Sequence, residues 1–440
     1  MTGIVPVFAS PRDLAARLLG MIAGFLDVEQ ILGSAKIIRV IKLHRSTFPS
    51  IDTFPVIIEL ERCADAVARD ANFYQFYDLA QFHPQTDKTS LADAYAAILA
   101  DLDASGTWPF ADDLAKRYQV RQGMIGQYAN NPIFEGRPSL FEFMANVTAK
   151  PVDLKLPAGQ GQFVHARART VRGRHVVMLS DIAAAKFGLQ SGDNPRFFRT
   201  APGTTGGAAK GGYKVVNIPQ AIDDAGLAAL TSSEKSSGII VNDPTADRFW
   251  VPLDKAGAAD IEKGLFAEYW RPVEFYVDWS EQAVSAMQHH KSAVFRNPQY
   301  YFRRGISFSN TGIYSPSFRL GHGGVFDQTG SNIFCDVMER EVLLGILSSK
   351  LLRYFGKSFI NHGVHAEVDD LPIVMPNAEQ VKSIKALVDR IVKEQQADLA
   401  FDYRMIASQI DDVVDDLYGL TDDERLEVRS WHRRHYPKLN

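Results

Sequence analysis

Two stretches carry residues suited to chemistry on a polyanion. The first, Phe187 to Arg199, reads FGLQSGDNPRFFR, and the second, Arg296 to Ser309, reads RNPQYYFRRGISFS. Each is a polar turn set between aromatic residues, flanked by arginines and nearly free of acid. That composition suits a loop that presents donors to phosphate while its aromatic residues hold its base in the fold. Arg196, Arg199, Arg303 and Arg304 offer guanidinium groups for phosphates or guanine edges. Asp193, Asn194, Asn297 and Ser307 have the donors and acceptors for base readout. Tyr300 and Arg319 complete the candidate set, Tyr300 as either a core anchor or a wedge. A purely conformational reading competes: Gly188 and Gly192 supply positive backbone angles, and Asp193-Asn194 forms a side-chain-capped turn.

Other candidate sites are less complete. Asp52, Glu59 and Glu61 suggest a metal-dependent nuclease, but such a site also wants a lysine beside its acids, and Arg62 and Cys63 follow instead. The Gly-rich run from Thr200 to Lys214 lacks the Gly-Lys-Ser/Thr ending of a phosphate-binding loop and reads as a mobile loop with two lysines. With only Cys63 and Cys335, neither a disulfide framework nor a zinc site of paired cysteine motifs is available.

The chain that must position these loops has 440 residues and 46% hydrophobic content, enough for two or three domains at roughly 150 residues each. No run approaches the ~18 apolar residues of a spanning helix, and MTGIVPVFASPRD lacks the basic start of a signal peptide. A cytoplasmic, membrane-free protein is expected. The net charge of -4 hides a segregation. Val164 to Lys214 holds nine Lys/Arg against two acids, Phe295 to Leu320 four arginines and no acid, and Ala366 to Glu427 sixteen acids against six bases. A basic cleft within an acidic protein fits local phosphate binding; solvated faces without a partner are the alternative.

In chain order, Ser10 caps an amphipathic helix carrying Leu14 to Leu26, and two β-branched runs between Ala35 and Arg62 suit paired strands. Gln75 to Ala115 reads as mostly helical, with Phe73, Tyr74, Phe76, Tyr77, Phe82 and His83 as core rather than a base-stacking platform. Turns are expected at Asn130-Asn131-Pro132 and Gly136-Arg137-Pro138, and Lys150 to Gly161 reads as a linker. VHARARTVRGRHVVML makes a hairpin about Gly173, whose Arg167, Arg169, Arg172 and Arg174 want solvent or phosphate. Strand signals and aromatics then dominate to Phe334. REVLLGILSSKLLRYF predicts a helix from about Arg340, DDLPIVMP an extended segment, and Asn377 the cap of a long helix. A stripe from Met405 to Leu417 ends at Tyr418-Gly419, and Thr421 to Glu424 forms a capping box.

An ordered set of these strings resembles the C-terminal target recognition half of type IIG and BREX-associated PglX-like adenine-specific DNA methyltransferases, related to the TaqI-like specificity domain. The strings are Gly188 to Asn194, Trp250-Val251-Pro252, Val277 to Ser280, Asn297 to Arg303 with Gly305 to Ser309, Leu344 to Lys350, Leu371-Pro372-Ile373 and Asp416 to Leu420. Ala35 to Arg62 resembles the last strands of that family's catalytic domain. The resemblance implies a mixed α/β (α+β) fold. It places a methyltransferase-domain remnant with helices over 1–150, a strand-rich DNA target recognition domain over 151–335 and a helical region over 336–440. It implies a specificity component of a restriction-modification or phage-defence system, with double-stranded DNA and a methyltransferase or other restriction-system subunit as partners.

The family's catalytic motifs are missing. No Gly-rich turn for S-adenosylmethionine is found, and Asn131-Pro132-Ile133-Phe134 and Asn297-Pro298-Gln299-Tyr300 only approach the Asn-Pro-Pro-Tyr/Phe loop that holds a flipped adenine. No cofactor is therefore expected in this chain, S-adenosylmethionine coming with a catalytic partner, and no catalytic residue is named. A divergent or split adenine methyltransferase is the alternative.

Overall fold

The computed structural model describes residues 33–47, 55–100, 108–127, 136–144, 151–158, 161–204, 212–255, 268–309, 315–358 and 368–436, with the backbone strand Gly3–Phe8. The expected helix after Ser10, Asp52, the Asn130-Asn131-Pro132 turn and the middle of the Gly-rich run, 205–211, lie outside the described residues. The fold is mixed α+β, with several mixed and antiparallel sheets and a helical C-terminal region.

Toward the N-terminus, five strands form a sheet in the order Gly3–Phe8, Pro55–Arg62, Ala35–Lys42, Phe73–Asp78, Lys116–Arg121. Ala35–Lys42 and Pro55–Arg62 pair antiparallel as expected, while Ala35–Lys42 runs parallel to Phe73–Asp78. The helical reading from Gln75 is corrected: Phe73–Asp78 is a strand, and the helix begins at Lys88 and runs to Ala100. Aromatic and β-branched residues fit a pleated sheet covered on both faces, and Tyr74, Phe76 and Tyr77 are buried there; Phe73, expected in the core, is exposed because it starts the strand at the sheet's end.

The expected linker is also a strand. Val152–Pro157 pairs antiparallel along Phe163–Val171 as the edge of a sheet continued by Arg174–Met178 and Pro372–Val374. Its terminal proline is tolerated because an edge needs no further donor. The hairpin turns through Arg172 (φ 52°) and Gly173 (φ 74°), the double left-handed geometry of a tight hairpin. Because Pro372–Val374 completes this sheet, packing crosses the boundary expected at 335. One core holds Val176, Val177, Ile306, Leu343, Leu347, Val388, Ile410 and Trp431 together. A second, around Phe198, Val251, Val277 and Trp279, lies under the candidate loops.

The segment from Arg340 is two helices, Arg340–Ser348 and Lys350–Ser358, broken at Ser349 in extended geometry. Asp411 explains the break: its carboxylate accepts from the Lys350 backbone N–H at 2.8 Å and from Lys350 Nζ at 2.7 Å. Gly345 lets the first helix approach Ala378–Ala397, since a Cβ there would lie 2.4 Å from Ile384 Cγ2. Asn377 caps that long helix, Gly419 (φ 66°) ends Arg404–Tyr418, and Thr421 with Glu424 forms the expected capping box.

Three of the four hairpin arginines, Arg169, Arg172 and Arg174, are corrected from phosphate candidates to an internal clasp, while Arg167 is exposed. Arg172 donates to both oxygens of Glu424, at 2.7 Å each, and to Glu142 at 3.2 Å. Arg174 reaches the carbonyl of Asp416, and Arg169 that of Phe143. The acidic tail is correspondingly less exposed than its sequence implies. Asp411, Asp415, Glu424 and Glu427 are buried, answered by Lys350, Arg429, Arg172 and Tyr118. Among the described residues no helix is long and apolar enough to cross a membrane.

Candidate nucleic-acid interface

The two basic loops lie side by side. Leu189–Gln190 pairs antiparallel with Val294–Phe295, and Asn297 Nδ2 donates to the Phe187 carbonyl at 2.9 Å. Arg296 bridges beneath, donating to Gln190 Oε1 at 3.3 Å and Gln328 Oε1 at 3.0 Å. Gly188 is required by proximity rather than by a positive φ, because a Cβ would come within 1.8 Å of the Phe326 carbonyl oxygen. Gly192 does have φ 78°, and the turn at His290 and Ala293 closes over it, with a Cβ position 2.2 Å from His290 Nδ1. The exposed Lys291 sits in that turn.

In the first loop the capped-turn reading describes the local geometry. Asp193 accepts from the Arg196 N–H and caps the short helix Asn194–Phe197, while Ser191 Oγ donates to Asn194 Oδ1 at 2.7 Å. Both carboxamide and carboxylate thus hold the loop in shape. Arg199 does the same: it donates to the carbonyls of Pro195, Arg196 and Phe198, and its guanidinium lies 4.9 Å from the Trp250 ring. Arg196 is exposed, its guanidinium 4.8 Å from the Phe197 ring. Phe197 and Phe198 are buried beneath.

The second loop carries two non-glycine residues in left-handed geometry, Asn297 (φ 51°) and Phe302 (φ 61°). Such conformations cost of order 1 kcal/mol or more and persist where surrounding contacts enforce them. Here the Phe302 N–H donates to the Gly324 carbonyl at 2.8 Å, and its ring meets Trp279 edge-on at 5.5 Å. Tyr301 is core, its ring 5.4 Å from Phe326, and burial pushes its hydroxyl pKa up. Tyr300 is half-buried against Phe334 at 4.9 Å, with the Arg303 guanidinium 5.1 Å and Lys186 Nζ 5.7 Å from its ring. Both of these partners are cationic, the exposed Arg303 and the half-buried Lys186, so Tyr300 serves as their platform. Arg303 and Arg304 are exposed and form ion pairs with Asp336 at 3.2 Å and Asp224 at 2.8 Å.

Two candidates face away from any surface. Ser307 lies in the central strand Ile306–Ser309, fully buried, with its hydroxyl lacking a hydrogen-bond partner. Arg319 is 4% exposed and donates to the Lys255 carbonyl at 2.9 Å. Burial pulls its guanidinium pKa down, opposed by the charges of Asp254 and Glu274. It lines a small, partly open polar cavity with Asp254, Glu274 and His322. Both are therefore structural in this conformation, because their sheet is covered on both faces: Ile306, Phe308, Phe318 and Leu320, which alternate with them, are buried too.

Sequence reasoning passed over Lys186, Gln190, Lys291, Arg296 and Gln328. The first two flank or lie inside the GLQSGDN string, a usable signal; Lys291 and Gln328 join only through pairing distant in sequence.

No family model matches the chain, and no curated protein resembles it in sequence. Among solved structures, the type IIG restriction endonuclease BpuSI is similar over 95% of this chain and 47% of its own, at 10% identity and a TM-score of 0.26. The chain spans about half the length of that protein, and a likeness so loose carries no weight for fold or function.

Proposed function

We propose that this chain is a duplex-DNA recognition component of a restriction-modification or phage-defence system, positioning DNA for a catalytic partner that supplies S-adenosylmethionine and methyl transfer. The observation carrying the DNA-binding part is the antiparallel joining of Leu189–Gln190 to Val294–Phe295, which gathers two loops bearing the exposed cations Arg196, Lys291, Arg303 and Arg304. Rigidly held arginines on aromatic platforms lose little entropy on meeting phosphate, and Arg is suited to both phosphate and guanine edges. The role in a defence system rests on the ordered sequence strings. Internal contacts hold Arg172, Arg174, Ser307 and Arg319, which favours the two loops over them as the binding surface.

The alternative, a divergent methyltransferase, has less support. Among the described residues one of the four pairings in the N-terminal sheet is parallel, whereas a doubly wound cofactor-binding sheet is mostly parallel.

Duplex binding measured against salt tests the reading. Affinity should fall steeply with salt, and Arg303→Ala with Arg304→Ala should reduce the log–log slope by about 1.8 if each contacts one phosphate. A salt-independent affinity, or a slope untouched by the double substitution, would overturn it. Calorimetric binding of S-adenosylmethionine to the chain alone would favour the alternative.

A further inference from the structure

The two most exposed arginines of the second loop are already engaged. Arg304 donates to Asp224 at 2.8 Å and Arg303 to Asp336 at 3.2 Å, and both carboxylates are largely exposed, at 75% and 65%. Asp224 belongs to the helix Asp224–Ala229, and Asp336 follows the strand Gly330–Cys335, so each comes from a different part of the chain. Neither pair is needed to bury a charge, because all four groups remain in contact with water. What the pairs do is fix where the guanidinium groups point and what they hold.

The arginine stems are placed independently of the acids. A Cβ on Gly323 (φ 75°) would lie 2.8 Å from Arg304 Cγ, so the glycine turn leaves room for that stem. The Arg303 guanidinium rests over Tyr300 and Phe334, at 5.1 and 5.2 Å. Removing the carboxylates would leave both cations on the same face, no longer neutralised.

We propose that Asp224 and Asp336 form an electrostatic gate: in the free protein they occupy the guanidinium groups of Arg304 and Arg303, and phosphates of duplex DNA must displace them. This rests on the DNA-binding reading above. A phosphate diester presents anionic oxygens of the same hydrogen-bonding kind as the carboxylates it replaces, so the exchange is nearly balanced. Near balance lowers affinity for any duplex met by phosphates alone. The displacement cost falls equally on every duplex, so the gate weakens non-specific association and leaves base contacts to lift a true site above that lowered baseline.

The test is fluorescence anisotropy of the full chain with a labelled duplex of mixed sequence at low salt. Wild type is compared with Asp224→Asn/Asp336→Asn, with Arg303→Ala/Arg304→Ala, and with the four substitutions combined. Exposed pairs are individually weak, so the Asp double variant should bind about three- to tenfold tighter. That gain should vanish when the arginines are also absent. A wild type that fails to bind beside an Asp variant that binds would also support the gate. Wild-type binding with an Asp variant within about twofold of it, or a gain that persists without the arginines, overturns the gate while leaving DNA binding intact. No binding by either protein overturns both the gate and the reading beneath it. Unchanged thermal unfolding across the set excludes a folding defect as the cause.

Discussion

Arg434 and Asp78 lie 356 positions apart in the chain yet meet at 2.9 Å, Nε donating to the carboxylate, with both side chains almost wholly buried. Arg434 also donates to the Tyr118 hydroxyl at 2.8 Å, and that hydroxyl donates to Glu427 at 2.6 Å. The last helix, Asp422–His435, is thereby fastened to the N-terminal sheet. Breaking one half strands a buried charge, so Arg434→Ala and Asp78→Ala should each cost about 3–5 kcal/mol in urea unfolding. The double variant should lose less than the sum by more than about 1 kcal/mol, and additive losses would show the contact to be energetically idle.

A second clasp predicts acid sensitivity. Burial alone would raise the Glu424 carboxyl pKa, but hydrogen bonds from Arg172, Ser139 and the Thr421 backbone outweigh it and hold the group at about 2. Its unfolded value is the higher one, near 4.5, so the unfolded chain binds the proton first as pH falls. The stabilisation is complete above about pH 4.5 and is lost progressively toward pH 2, amounting to about 3 kcal/mol. Equilibrium unfolding between pH 6 and 2 should show this loss, and Glu424→Gln should flatten that part of the curve while lowering stability at neutral pH.

Ser307 and Arg319 separate burial from recognition. The Ser307 hydroxyl is buried without a partner, so Ser307→Ala should leave stability unchanged or raise it by up to about 1 kcal/mol. It should also leave duplex affinity within about twofold of wild type. A tenfold loss of DNA binding with normal unfolding would mean that the strand Ile306–Ser309 turns outward in the complex. Arg319→Met should instead lower stability, because Asp254 would then lose a nearby buried cation.

What the sequence made legible was local. Asn377 as a helix cap and Thr421 with Glu424 as a capping box both formed as read, and Gln380 closes a box on Asn377 that the sequence reading did not name. The hairpin at Gly173 followed from strands flanking a glycine turn. Interactions closed over long separations were not legible. Nothing near Arg172 announces Glu424, 252 positions on, so its charge read as free for phosphate. Ser349 looks helical within its own segment, and the break is imposed by Asp411, 61 positions from Lys350. Val152–Pro157 passed as a linker because its proline and polar residues mask an edge strand that only its pairing reveals. At the candidate site the sequence located both loops, but their contact runs through backbone pairing of Leu189–Gln190 with Val294–Phe295, which no motif encodes.

Gly192 tests whether that contact matters. With φ 78° and a Cβ position 2.2 Å from His290 Nδ1, substitution to Ala meets both backbone strain and collision with the turn above it. The turn at 290–293 must move, and with it Lys291 and the strand Val294–Phe295 that carries the second loop. Because the Gly192 backbone is at the surface, Gly192→Ala should cost only about 1–2 kcal/mol of global stability. Its effect on duplex affinity should be larger, about tenfold, because it displaces the two loops relative to each other. Gly203, also left-handed (φ 76°) but with nothing near its Cβ position, provides the control: Gly203→Ala carries similar backbone strain and should leave DNA binding within about twofold. Equal losses at both positions would mean that the pairing of the loops plays no part in binding.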